Sequence, residues 1–312
     1  MEFSFHKPVM LKEVIDSLNC RPGGIYLDGT VGGGGHSYHI LKKTAPDGML
    51  IGIDTDDDAL SESERTLESF AKRKVIVKGN FADIGRILDD LNIEKVDGIL
   101  FDLGVSSHQL ETAERGFSFS LDAPLDMRMD RRQELCAYDL INTLSDKKLE
   151  GIIRKYGEEI MAGRIVKAIS AKRKISPIKS TKELATIIVE ALPPQLKRKR
   201  THPATKTFQA LRITVNDELS NLYRAINDGI DVLKEGGRFS IISFHSLEDR
   251  IVKNLFRSWE KGCICPPDFP VCACKRKPKL KVLTRRPIMP GDVEINANPR
   301  ARSARLRTTM RV

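Results

Sequence analysis

No stretch of this 312-residue chain is an apolar run of membrane-spanning length, which argues against a helical membrane protein. Residues Met1-Glu2-Phe3-Ser4-Phe5-His6-Lys7-Pro8 lack the charged-then-apolar layout of a secretory signal, so a cytoplasmic location is expected. Six cysteines without an export signal point to a reducing compartment and not to a disulfide framework. No internal repeat is visible, and the length suits one large domain or two modest ones. Residues 1–260 also lack any excess of one charge. The whole net charge of +10 falls after Glu260, where 5 Lys and 8 Arg face only Asp268, Asp292 and Glu294. A tail so charged attracts a polyanion, and it lacks the amphipathic apolar face that a membrane surface would need.

What the chain does have is a glycine-rich turn, Asp28-Gly29-Thr30-Val31-Gly32-Gly33-Gly34-Gly35-His36-Ser37. The turn follows the apolar run Ile25-Tyr26-Leu27 and opens into the helix-like Tyr38–Lys43. Strand, glycine turn and helix bring bare backbone close to a nucleotide-like ligand. The dinucleotide fingerprint is missing, because counting from Gly32 its third glycine falls on Ser37. A second strand, Met49-Leu50-Ile51-Gly52-Ile53, ends in Asp54, placed to accept hydrogen bonds from two ribose hydroxyls. Acidic ends on both strands suit S-adenosylmethionine, which carries a sulfonium, an amine and a ribose but no phosphate.

Further along, Val9–Leu18 reads as a helix, Asp58–Lys72 as a polar surface helix, and Val75-Ile76-Val77 as a third strand. Val96–Phe101 is a fourth strand, ending at Asp102-Leu103-Gly104-Val105-Ser106-Ser107. The alternation predicts an α/β fold, a Rossmann-like parallel sheet with its ligands at the strand carboxyl ends. The alternation then stops. Residues 107–204 read as a helical insert, with Ser145 capping Asp146–Tyr156 and a Ser180/Glu183 capping box before Leu184–Leu192. Apolar residues from Phe208 to Leu233 recur at helical spacing, predicting one long helix ended by Gly236-Gly237 before the strand Arg238–Phe244. Residues 1–106 and 205–312 would then form the sheet domain, with the insert above the cofactor mouth. The tail beyond Gly262 shows little periodicity.

The chain resembles the bacterial ribosomal RNA small-subunit methyltransferase H family (MraW) from end to end. The segments that carry the resemblance include His6-x-Pro8-Val9-Met10-Leu11, Asp28–Ser37, Val96–Ser107, Glu114–Phe119, Pro124–Asp130, His202–Ala210, Ile242–Arg250 and Asn298–Ser303. The resemblance implies a class I methyltransferase sheet. It also implies methylation of the exocyclic 4-amino group of a cytidine in the decoding region of small-subunit (16S) ribosomal RNA. The methyl donor would be S-adenosylmethionine, contacted through Gly34, Gly35, His36, Asp54, Phe81, Asp102 and Gln109. The partner would be that RNA or the assembled small subunit, with monomer and homodimer both open.

The residues themselves agree with amine chemistry. Methylation at carbon 5 of cytosine needs a cysteine nucleophile, and none stands at the end of the fourth strand. A carboxylate there, Asp102, either holds one N–H of the target amine or orients the cofactor. His245, just past the fifth strand, is a candidate to take the released proton or to bond the base; a buried structural histidine is the alternative. Arg198, Lys199 and Arg200 on the insert and Arg300, Arg302, Arg305 and Arg307 in the tail are candidate phosphate contacts. Ile160-Met161-Ala162-Gly163 stands where the family often has a more basic helix. Cys263, Cys265, Cys272 and Cys274 offer four thiolates for zinc in C-x-C spacing, with reduced thiols as the other reading. Two rival classes stay open, a non-catalytic RNA-binding assembly factor and a nicotinamide-dependent oxidoreductase. Cofactor titration and methyl-transfer assays separate them.

Overall fold

The computed structural model describes residues 8–197, 202–263, 265, 271 and 273–312, and they divide into two compact units. The first comprises residues up to Gly104 together with Leu219–Val312, and the second Val105–Glu218. Among the described residues no helix is long and apolar enough to cross a membrane.

The first unit is built on seven strands: β1 Ile25–Asp28, β2 Met49–Asp54, β3 Lys74–Lys78, β4 Val96–Asp102, β5 Leu233–Ser243, β6 Leu280–Val282 and β7 Arg305–Arg311. Their order is β3-β2-β1-β4-β5-β7-β6. β1 to β5 run parallel to one another, while β7 is antiparallel to both β5 and β6. β1, β2 and β4 are nearly continuous buried apolar runs, as strands covered on both faces require. On one face Leu27, Ile53, Phe101 and Phe239 pack with Ile84, Leu88, Ile226, Ile230 and Phe256; on the other, Tyr26, Leu50 and Leu100 pack with Val14, Leu18, Ile40 and Leu41. The strand order reverses between β1 and β4, so the crevice where such sheets bind ligands opens at the carboxyl ends of these two strands.

The second unit is helical: Ser107–Glu111, Ala137–Thr143, Asp146–Gly157, Ala162–Arg173, Thr181–Ala191, Pro194–Lys197 and Thr205–Val215. Its own core includes Leu149, Ile153, Ile165, Ile169, Leu184, Ile188, Phe208 and Leu211. Arg115 is fully buried there, and its guanidinium donates to the carbonyls of Arg128 (3.0 Å) and Met129 (3.1 Å). One cation thereby organises the loop that the sequence leaves irregular.

Several sequence expectations change. The stripe from Phe208 to Leu233 is two helices, Thr205–Val215 and Glu218–Val232, because Asp217 adopts a left-handed φ of 46°. Val215 and Leu219 keep four-residue spacing across the break, so periodicity alone does not reveal it. The unit boundary falls at this break, and Thr205–Val215 lies with the helical unit and not with the sheet. Gly236-Gly237 does not end a helix but lies inside β5, at a register shift against β4 where Gly236 takes a φ of 74°. The tail is not aperiodic, since it supplies β6 and β7. Of the two expected caps, Ser180 accepts from the Glu183 backbone N–H, but Glu183 turns its carboxylate to the N–H of Lys179; Ser145 makes no side-chain cap bond.

Candidate active site at the strand carboxyl ends

Three carboxylates stand at the ends of adjacent strands: Asp54 on β2, Asp28 on β1 and Asp102 on β4. Asp28 is buried, accepting from the Thr30 backbone N–H (3.2 Å) and the Ser37 hydroxyl (2.7 Å). It thereby ties both ends of the glycine turn to β1. Gly34 caps the helix Gly35–Lys43 with a φ of 83°, a left-handed conformation that glycine adopts without strain. Gly32, with a φ of 50°, donates its N–H to Asp54 Oδ2 at 3.0 Å.

Asp54 Oδ1 accepts from the Asp56 backbone N–H, also at 3.0 Å. The Thr55 backbone N–H bonds the same carboxylate, which leaves part of its acceptor capacity for a ribose hydroxyl. Phe81 follows β3 in a short 3₁₀ turn capped by Asn80 and leans on Phe101 with ring centroids 5.0 Å apart.

The backbone N–H of Asp102 is held by Thr30 Oγ1 at 2.6 Å, which fixes the strand end against the turn. Asp102 Oδ2 lies 3.6 Å from His36 Nδ1, and His36 is turned that way by a bond from its Nε2 to the Val9 carbonyl (2.9 Å). Asp102 Oδ1 is buried and has no hydrogen-bond partner among the described residues. Burial, with Asp28 and Glu248 nearby, holds the Asp102 carboxyl well above the usual range. Burial likewise pushes Asp28 and Asp54 up to about 6. Three crowded, desolvated acids and an unmatched oxygen make a site that a cationic ligand relieves.

Of the other expected residues, Gly34, Gly35 and His36 lie on the turn and its helix; His36 faces Asp102, whereas Gly34 lies against Ser63, Thr66 and Leu67 and Gly35 against Pro8. Gln109 belongs to the helical unit, where its amide oxygen accepts from the Ser106 N–H (3.0 Å) in a capping box. His245 is the N-cap of the helix Ser246–Lys261, its Nδ1 3.4 Å from the Glu248 N–H and its Nε2 3.1 Å from Glu248 Oε1. Glu248 Oε2 in turn accepts from the backbone N–H groups of Phe244 and His245. His245 Nε2 is buried and makes no hydrogen bond among the described residues, so the cap occupies Nδ1 and leaves both the catalytic and the structural role open.

Arg198, Lys199 and Arg200 lie outside the described residues. Arg300 and Arg302 are exposed on the turn Pro299–Ser303. Arg307 corrects its expected role: it is buried in β7, donating through Nε (2.6 Å) and Nη2 (3.2 Å) to Asp249, and Arg305 adds a 3.2 Å contact to the same carboxylate. A side chain spent in this way does not face a phosphate. Cys263, Cys265 and Cys274 bring their sulfurs together, while Cys272 lies outside the described residues. Sequence reasoning missed the parts played by Thr30, Ser37 and Glu248. Hydroxyls inside a glycine turn are a signal for the first two, while Glu248 shows only the three-residue spacing of a cap.

The strand order, the antiparallel β7 and the acidic strand ends define the class, a class I methyltransferase sheet carrying an inserted helical unit. The chain belongs to the MraW methylase family, whose model matches residues 3–312. It is 64% identical over 311 residues to the ribosomal RNA small subunit methyltransferase H of Syntrophus aciditrophicus, covering 100% of this chain and 99% of that one. It is 52% identical over 312 residues to the protein of the same name from Lachnospira eligens, with 100% and 99% covered. Identity to the Geobacter sulfurreducens protein of that name is 53% over 307 residues, with 98% of each covered.

Proposed function

We propose that this chain transfers the methyl group of S-adenosylmethionine to the exocyclic 4-amino group of a cytidine in the decoding region of small-subunit ribosomal RNA. Asp102 Oδ1, buried and unpartnered at the end of β4, is the observation that carries the reading. It can accept an N–H from an amine, and amines are what the cofactor and the target base both bring to this rim. The cofactor's sulfonium and ammonium charges match the three carboxylates, and Asp54 offers its remaining acceptor capacity to the ribose.

A cytosine amino group is a weak nucleophile because its lone pair is delocalised into the ring. An acceptor holding one N–H draws the nitrogen toward tetrahedral geometry while the methyl stands in line behind it. Positioning of this kind supplies roughly 7–11 kcal/mol, so no strong base is required. Gly104, with a φ of 104°, turns the chain away immediately after Asp102, in a conformation that other residues adopt only with strain. The segment Asp102–Ser106 contains no cysteine, as expected for attack by nitrogen instead of addition to the ring.

Incubation of the full chain with labelled S-adenosylmethionine and small-subunit RNA, free or assembled, tests the proposal by nucleoside mass spectrometry. N4-methylcytidine is the expected product, strongly reduced for Asp102→Asn. Label on carbon 5 or on the ribose would overturn the target chemistry, and RNA binding without transfer would favour the assembly-factor reading.

A further inference from the structure

We infer that Cys263, Cys265 and Cys274 hold a zinc ion that pins the chain between the helix Ser246–Lys261 and β6. The three sulfurs lie within 4.8 Å of one another, and none of these cysteines is in a disulfide. The Cys274 and Cys263 sulfurs are 3.7 Å apart. A disulfide requires about 2.05 Å. Zinc–sulfur bonds of about 2.3 Å place tetrahedral thiolates about 3.8 Å apart; the Cys263–Cys274 separation matches that spacing, and the Cys265 sulfur lies within 4.8 Å of both.

The surroundings explain why the chain would use one. The described residues between Gly262 and Leu280 bury no apolar side chain, and Val271 is 74% exposed. The return of the chain is nonetheless tight. A Cβ on Gly262 would lie 2.5 Å from the Pro278 backbone. Arg276 and Lys279 both sit over the Trp259 ring, at 4.6 and 4.7 Å, and the Lys279 N–H donates to the Trp259 carbonyl. These contacts fix the far end of the return, and a metal would tie the cysteine end to it. Each thiol gives its proton to solvent on binding, and Lys275, Arg276 and Lys277 offset the resulting negative charge.

Full-length protein purified without chelator or added metal should carry about one zinc per chain. Cobalt replacement should produce the near-ultraviolet absorption of sulfur-to-cobalt charge transfer. Cys265→Ser and Cys274→Ser should each lose the metal, whereas Cys136→Ser, in the helical unit, should keep it. Should the cluster variants fail to fold, the cobalt spectrum of the unaltered chain still decides the matter. Protein free of metal and without the cobalt band would overturn the inference. So would a Cys263–Cys274 disulfide in protein isolated under thiol-blocking conditions.

Discussion

At the residue scale, Asp54 shows how one carboxylate serves both fold and ligand. Its carboxylate already holds the N–H groups of Gly32, Thr55 and Asp56, and a ribose would use the acceptor capacity that remains. Charge-assisted hydrogen bonds contribute roughly 1.5–3 kcal/mol each, so Asp54→Ala should weaken S-adenosylmethionine binding at least about tenfold. Calorimetric titration checks this, and unchanged affinity in a folded variant would reject the pocket. Arg307 is the opposite case. Burial would raise the Asp249 carboxyl, but bonds from Arg307 and Arg305 hold it below the ordinary value. Arg307→Gln should therefore lower stability by about 3 kcal/mol, read as a depressed Tm, and leave the salt dependence of RNA binding unaltered. Intact thermal stability with weaker RNA binding would restore the surface role that the sequence suggests.

At the scale of elements, the residues with strong local signatures were legible. Buried apolar runs marked β1, β2 and β4, and the acids ending them marked the site, because burial on both faces leaves little choice of residue. β7 was hidden. Its sequence, Arg305-Leu306-Arg307-Thr308-Thr309-Met310-Arg311, reads as a basic tail until Asp249, distant in sequence, neutralises its middle arginine. The break at Asn216-Asp217 was hidden because it preserves the apolar spacing on either side. His245 was open between a catalytic and a structural role by position, and the N-cap contact with Glu248 was not visible in the sequence. With Arg307 indoors and Arg305 bonded to Asp249, Arg300 and Arg302, on the exposed turn Pro299–Ser303, are the two of the four nominated tail arginines that remain exposed. Replacing both by Gln should weaken RNA binding and flatten its salt dependence by roughly one log–log unit for each phosphate no longer neutralised. An unaltered slope would move the RNA-binding surface away from this turn.

At the scale of the whole molecule, the crowded acids couple folding, cofactor and pH. Asp28 and Asp54 titrate near 6 in the folded chain against an ordinary value of 3.8, chiefly because burial disfavours their charge. A raised carboxyl means that the folded state binds protons more tightly than the unfolded one. The stability these groups contribute is therefore complete below 3.8 and is lost as pH rises through about 6. Asp249 has the opposite sign, since its depressed carboxyl contributes stability above the ordinary value and loses it in acid. The Tm of the cofactor-free protein should thus fall between about pH 5 and 7, where Asp249 stays ionised throughout. A ligand bearing positive charge favours the ionised acids, so S-adenosylmethionine should bind more tightly over the same interval and release protons as it does so. Its demethylated product has no sulfonium charge and should show a shallower rise. Thermal shifts and calorimetry in buffers of different ionisation enthalpy, with each ligand at three pH values, measure both effects. Equal pH slopes for the two ligands would mean that the carboxylates do not sense the sulfonium. A Tm that does not fall over this interval would mean that Asp28 and Asp54 are already ionised in the free protein.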